Sequence, residues 1–200
     1  MTSKNLFFRL VRQDIKKRIW CPIVIFITYF LILEVHMLME LDSIYKYAKD
    51  REYDLLHYIP DTLFGTKLIT FSFIICATAF MCALGGFSYL HSKPQVDIYH
   101  SMPVSRTKLF WVQYFSGILQ CFIPLVFHVL VCLAIAASRS LLNTQSIVNS
   151  ICFVGTELFI FFMVYSAVIA AVCLTGNVII SILGAGALFS YSTLIALLKG

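Results

Sequence analysis

Leu109-Phe-Trp-Val-Gln-Tyr-Phe-Ser-Gly-Ile-Leu-Gln-Cys-Phe-Ile-Pro-Leu-Val-Phe-His-Val-Leu-Val-Cys-Leu-Ala-Ile-Ala-Ala137 is a run of 29 residues without one charged side chain. The hydrocarbon core of a bilayer is about 30 Å thick, and about 20 apolar residues of α-helix cross it. The run therefore exceeds one crossing, which predicts a tilted helix or one bent at Pro124. Within lipid only helices and closed barrels satisfy their backbone hydrogen bonds. Apolar residues here are continuous rather than alternating, so the helix is selected over a barrel strand.

The same pattern repeats on both sides. Runs at 20–41, 68–90, 147–172 and 178–198 join 109–137 to give five expected spans. From Leu158 to Leu198 there is again no charge, and these 41 residues fit two crossings with a turn at Leu174-Thr-Gly-Asn177. One crossing plus a buried re-entrant segment is the alternative. With 60% hydrophobic residues, 12% charged and a mean hydropathy of +0.88, the chain lies outside the soluble globular class. Its expected fold is all-α: a single polytopic membrane helix bundle over residues 1–200.

Residues 4–19 form an amphipathic helix candidate ahead of the spans. Phe7, Val11, Ile15 and Ile19 recur every fourth position, while Arg9, Arg12 and Lys16 occupy another face. Such a helix is expected to lie in the membrane interface, rather than merely extend the first span into the cytoplasm. Six of the fifteen Lys and Arg residues precede Trp20, against one acid. This clustering places the N-terminus in the cytoplasm by the positive-inside rule. It lacks the basic, aromatic-interleaved face of a nucleic-acid binder, so no nucleic-acid partner is expected. The basic segment is also too long for a cleavable signal, and no small-residue cleavage site follows it. The expected setting is the cell (plasma) membrane, with the lipid bilayer as first partner. Alternation then puts loop 42–67 outside, 91–108 inside with Lys93, Arg106 and Lys108, and 138–146 outside with Arg139. Five spans leave the C-terminus outside.

Little in the chain suggests catalysis. It holds no HExxH, GxSxG or phosphate-binding glycine loop, so no enzyme activity, bound cofactor or metal is expected. The seven cysteines sit in or beside apolar runs, none in a CxxC, and read as small core hydrophobes. His36 and Glu40 are four apart near the expected outer interface, where a solvated pair is the plainer reading. His128 follows Pro124 by four residues and could contact backbone groups that the proline frees; a proton relay is the sharper alternative. Glu157 stands in span four without a basic neighbour. An intramembrane carboxylate usually faces a bundle interior or a polar path; if span four starts later, Glu157 lies near the interface instead. Both readings stay open. Small residues at Ala79 and Ala83, Ala167, Ala170 and Ala171, and Gly184 and Gly186 allow close helix approach within a bundle or across a dimer.

The most polar interruption between long apolar runs is His91-Ser-Lys-Pro-Gln-Val-Asp-Ile-Tyr-His-Ser-Met-Pro-Val-Ser-Arg-Thr-Lys108. Pro94 ends span two and Pro103 stops what precedes it, which bounds a short helix over 95–102. Ser105 is the expected N-cap of span three. Val96, Ile98, Tyr99 and Met102 offer apolar contacts; Asp97, His100 and Arg106 offer charge and hydrogen bonds. A docking helix needs that mixture, and an ordinary inter-span loop is the bland alternative.

This bridge resembles the Asp-x-Tyr-x-Ser-Leu-Pro-x-x-Arg stretch of bacterial type-2 ATP-binding-cassette (ABC) permeases. Asp97, Tyr99, His100, Ser101, Pro103 and Arg106 match, with Met102 at the usual leucine. The order of basic helix, two spans, bridge and uncharged span is similar too. The resemblance implies a permease subunit, an exporter, and a coupling helix that docks on a cytoplasmic ABC ATPase subunit. It further implies ATP and Mg in that partner rather than in this chain, and a second permease subunit in a homo- or heterodimer. Such permeases usually have at least six spans, so this chain would be an amino-terminal portion or a shortened form. A stand-alone membrane protein is the rival: an intramembrane enzyme, or an immunity or sensor protein, centred on Glu157, His128 or His36.

Overall fold

Inward-facing positions recur at three- and four-residue intervals through each helix of the computed structural model, which describes residues 3–42, 69–91, 104–139 and 142–175 with Ile180, Leu183, Gly184 and Gly186. That spacing stacks side chains on one face of a 3.6-residue helix, so each helix buries a stripe and leaves the rest outward. The described residues contain helices and no strand, and the fold is an all-α bundle.

Helix α1 (Ser3–Lys17) turns Val11 and its neighbours onto α4, and Arg9, Arg12, Lys16 and Lys17 are exposed. It stops earlier than the apolar spacing implies. Arg18 and Ile19 form a turn, so Ile19 is 58% exposed and Arg18 takes the inward place expected for it. Helix α2 (Trp20–Asp42) is α-helical over Trp20–Tyr29 and widens to a π turn over Phe30–Glu34. Helix α3 (Ile69–Phe87) ends in a 3₁₀ turn, Ser88–His91. Helix α4 (Arg106–Ser138) runs through Pro124 as one helix, and α5 (Thr144–Leu174) follows.

These last four helices, α2 to α5, are long and apolar enough to cross a membrane. Their outward faces are apolar: Phe73 is 73% exposed, Ile151 67% and Phe159 65%. Water would penalise such surfaces and lipid does not. Observed ends differ from the expected ones by a few residues. Span three starts at Arg106 rather than at 109, because Arg106 and Lys108 are exposed at the first turn and can reach the interface while their backbone is helical. Ser105 does sit at the N-cap, but its carbonyl, not its hydroxyl, is used, accepting the Leu109 N–H at 3.1 Å. Helix α5 ends at Leu174, where the Leu174-Thr-Gly-Asn177 break was expected. Most of the fifth expected span, 178–198, lies outside the described residues.

The helices alternate in direction. Cys21 meets Cys82 and Tyr29 meets Thr78, so α2 and α3 are antiparallel. Tyr165, late in α5, meets Gln113 and Tyr114 near the start of α4, while α5 starts at Thr144 shortly after α4 ends at Ser138, so α5 runs against α4. The most extensive packing is α3 on α5. At the α4–α5 contact, Gly117 is required: a Cβ there would lie 2.1 Å from the Tyr165 hydroxyl oxygen. Tyr165 fills that notch fully buried.

Candidate functional site

A polar side chain buried among lipid-embedded helices costs free energy unless another polar group meets it. Several do meet, one above another along the bundle. At the α1 end, Ser116 donates to the Asp14 carboxylate, which also pairs with Arg18; Arg18 Nη2 donates to Ser116 Oγ at 3.1 Å. Next, the buried thiols of Cys21 and Cys82 lie 3.9 Å apart. Deeper still, the Tyr29 hydroxyl is 3.2 Å from both Thr78 Oγ1 and Cys121 Sγ. Beyond it, His128 Nδ1 and Glu34 Oε1 pair at 2.5 Å. Ser72 donates to Glu157 Oε1 at 2.8 Å nearer the far end. From Ser116 to His128 is 12 residues of α4, a rise of about 18 Å and more than half the hydrocarbon thickness.

The Glu34–His128 pair is enclosed on every side. Glu34 is 3% exposed and His128 0%. Phe26 lies against the imidazole with ring centroids 4.4 Å apart, and Phe127 and Tyr29 complete an aromatic surround. The π turn that ends at Glu34 has a local cause and effect. The α2 stripe Cys21, Ile25, Tyr29, Leu33, Met37 and Leu41 repeats every four residues. Each such step overshoots a helical turn by about 40°, and a wider turn takes up part of that drift. It also lets adjacent residues Leu33 and Glu34 both be buried. Insertions of this kind recur at functional sites.

Unmatched polar atoms mark the same region. Glu34 Oε2, His128 Nε2, Glu157 Oε2 and both side-chain heteroatoms of Gln120 are buried without a hydrogen-bond partner among the described residues. Pro124 offers no N–H to the Gln120 carbonyl four residues earlier. Gln120 is thus a concentrated spot of unmet polarity against α2. Chemically, the set can hold or pass a proton, or hydrogen-bond a polar group entering between α2 and α4.

The expected site residues divide sharply. Glu157 is 3% exposed and faces α3, about 20 Å along α5 from Thr144; its interior reading is the one the bundle bears out. His128 meets Glu34 on another helix, and no bond from it to backbone freed by Pro124 is found among the described residues. His36 and Glu40 are half-buried and make no pair with each other. Arg106 is exposed at the first position of α4. Val96, Asp97, Ile98, Tyr99, His100, Ser101, Met102 and Pro103 lie outside the described residues. The sequence reading missed Glu34 as His128's partner, and Ser72, Thr78 and Gln120 altogether. One signal was available: Gln113, Ser116, Gln120 and His128 lie at helical spacing on one face of an otherwise apolar run.

Comparison with protein-family models, with curated proteins and with solved structures gave no match.

Proposed function

We propose that this chain is the membrane-spanning subunit of an ABC transporter, an exporter driven by a separate cytoplasmic ATPase through residues 95–102. The observation that carries the proposal is the bridge motif Asp97, Tyr99, His100, Ser101, Pro103 and Arg106 between two spans. Its surroundings suit a lever. The 3₁₀ end of α3 lies by Arg18, and the start of α4 lies by Phe7 and Leu10, so both ends of the bridge flank α1. Helix α4 begins at the motif's last residue, Arg106, and is tied to α1, α2 and α5 by the Ser116, Glu34–His128 and Gly117–Tyr165 contacts. A push on 95–102 would reach α4 first and would be felt at the Glu34–His128 pair, as expected for a bundle that switches between two packings. ATP and Mg would bind the partner, and a second permease subunit would complete the transport path.

The test is co-purification of a soluble ATPase with the full chain. Tyr99→Ala with Met102→Ala is expected to keep membrane insertion and to uncouple ATP hydrolysis from transport. Unchanged transport and unchanged ATPase capture in the double variant would sink the proposal. The buried cluster favours a second reading, a stand-alone membrane protein working through Glu34, His128 and Glu157. Loss of function in Glu157→Gln, with the bridge freely mutable, would select it.

A further inference from the structure

A cavity of about 220 Å³ opens at the α1 end of the bundle, between the α1–α2 turn and the end of α3. Asp14, Lys17, Arg18 and Trp20 line one side; Gly85, Gly86, Ser88 and Tyr89 line the other. Lys17 and Arg18 both line this cavity beside Asp14, whose carboxylate accepts from Ser116 and from Arg18 Nη2. The other end of the guanidinium extends over the glycine pair: a Cβ built at Gly86 would lie 3.1 Å from Arg18 Nη1. Glycine here preserves the room in which the guanidinium lies. Among the described residues the Ser88 hydroxyl, at the rim, is held by a long 3.5 Å contact to the Gly85 carbonyl, so it can turn to a better acceptor.

We propose that this cavity binds the phosphate of an anionic phospholipid headgroup. A forked guanidinium, an ammonium and a hydroxyl donor are the groups that recognise phosphate oxygens. Basic pockets between spanning helices take anionic headgroups for this reason. Depth argues for a lipid over a free anion: Trp20 and Tyr89 are of the residue types that sit at headgroup level, and Trp20 opens the first spanning helix. Seated there, the phosphate would join α1 to α3 beside the entry to the 91–108 bridge, and would do so whether or not an ATPase docks on that bridge.

The test is native mass spectrometry of the full chain released from bilayers of phosphatidylcholine containing a graded share of phosphatidylglycerol. One phosphatidylglycerol is expected to stay bound per chain, in excess of its share of the bilayer. Lys17→Gln should weaken that preference about fivefold, the effect of one cation near an anionic surface. Gly86→Ala changes no charge and favours helix, yet should also weaken it, because the methyl displaces Nη1. Lipid retained in the bilayer's own ratio, or equal retention by wild type and both variants, overturns the proposal. Capture of inorganic phosphate in pure phosphatidylcholine, without any preference for phosphatidylglycerol, overturns the lipid assignment. The wild-type measurement decides even if a variant fails to fold, and helical content by circular dichroism identifies such a variant.

Discussion

Gly117 shows how much one residue can decide. Its missing side chain is the notch that receives Tyr165, whose hydroxyl donates to the Tyr114 carbonyl at 3.2 Å. Gly117→Ala would place a methyl 2.1 Å from that oxygen and 2.8 Å from Cζ, so α4 and α5 must separate or the ring must leave. Overpacking of this kind costs about 1–3 kcal/mol, and at a ring this tightly seated the upper part of that range outweighs the roughly 1 kcal/mol that alanine's helix propensity returns. Thermal unfolding of the full chain in detergent should show the loss. Tyr165→Phe added to Gly117→Ala should recover only part of it, because ring carbons still crowd the new methyl. Equal stability of Gly117→Ala and wild type would show that the helices do not approach as closely as described.

At the scale of the element, α2 and α4 are joined by two side chains that a membrane should not tolerate singly. Removing one member of this buried hydrogen-bonded pair leaves the other unmatched, at a cost of roughly 1–3 kcal/mol. Glu34→Leu and His128→Leu should each destabilise strongly, whereas the two combined should cost much less than their sum. Chemical unfolding of the four proteins in micelles gives that coupling directly, and simple additivity would remove the pair as a link between α2 and α4. The same pair shows what was legible beforehand. Helices α2 to α5 announced themselves, since some twenty mostly apolar residues in unbroken runs fit a helix that satisfies its own backbone in lipid. Glu157 was open beforehand between the bundle interior and the interface, because the cost of a carboxylate in hydrocarbon decides only once the start of its span is known; the bundle buries it. That Glu34 would meet His128 did not follow, because the contact spans 94 positions and depends on a π turn that no residue type signals. The end of α1 was missed for a similar reason: Ile19 continues the apolar period, but the chain turns there to lead into α2.

For the whole molecule, the alternation of α2 to α5 ties every loop to the side on which the chain begins. Lys16 and Lys17 end α1, Arg106 and Lys108 start α4, and both pairs lie at the same end of the bundle. Basic residues gather on the cytoplasmic side of short loops, so that end should face the cytoplasm and the α4–α5 turn should face out. Cysteine scanning with a membrane-impermeant maleimide tests this in intact cells. Arg9→Cys, exposed on α1, should label only after permeabilisation, and Thr144→Cys, exposed at the start of α5, should label from outside. The native thiols should give little background: Cys21, Cys82, Cys121 and Cys132 are buried, Cys76 is half-buried within α3, and Cys152 and Cys173 lie on outward faces of α5 that lipid would cover. The opposite pattern would put the 91–108 bridge outside the cell, where no ATPase could reach it, and would end the transporter proposal. Gly200→Cys extends the test to the fifth expected span. Labelling from outside means that residues 178–198 cross the bilayer, whereas labelling only after permeabilisation means that they enter and return on the side of α1.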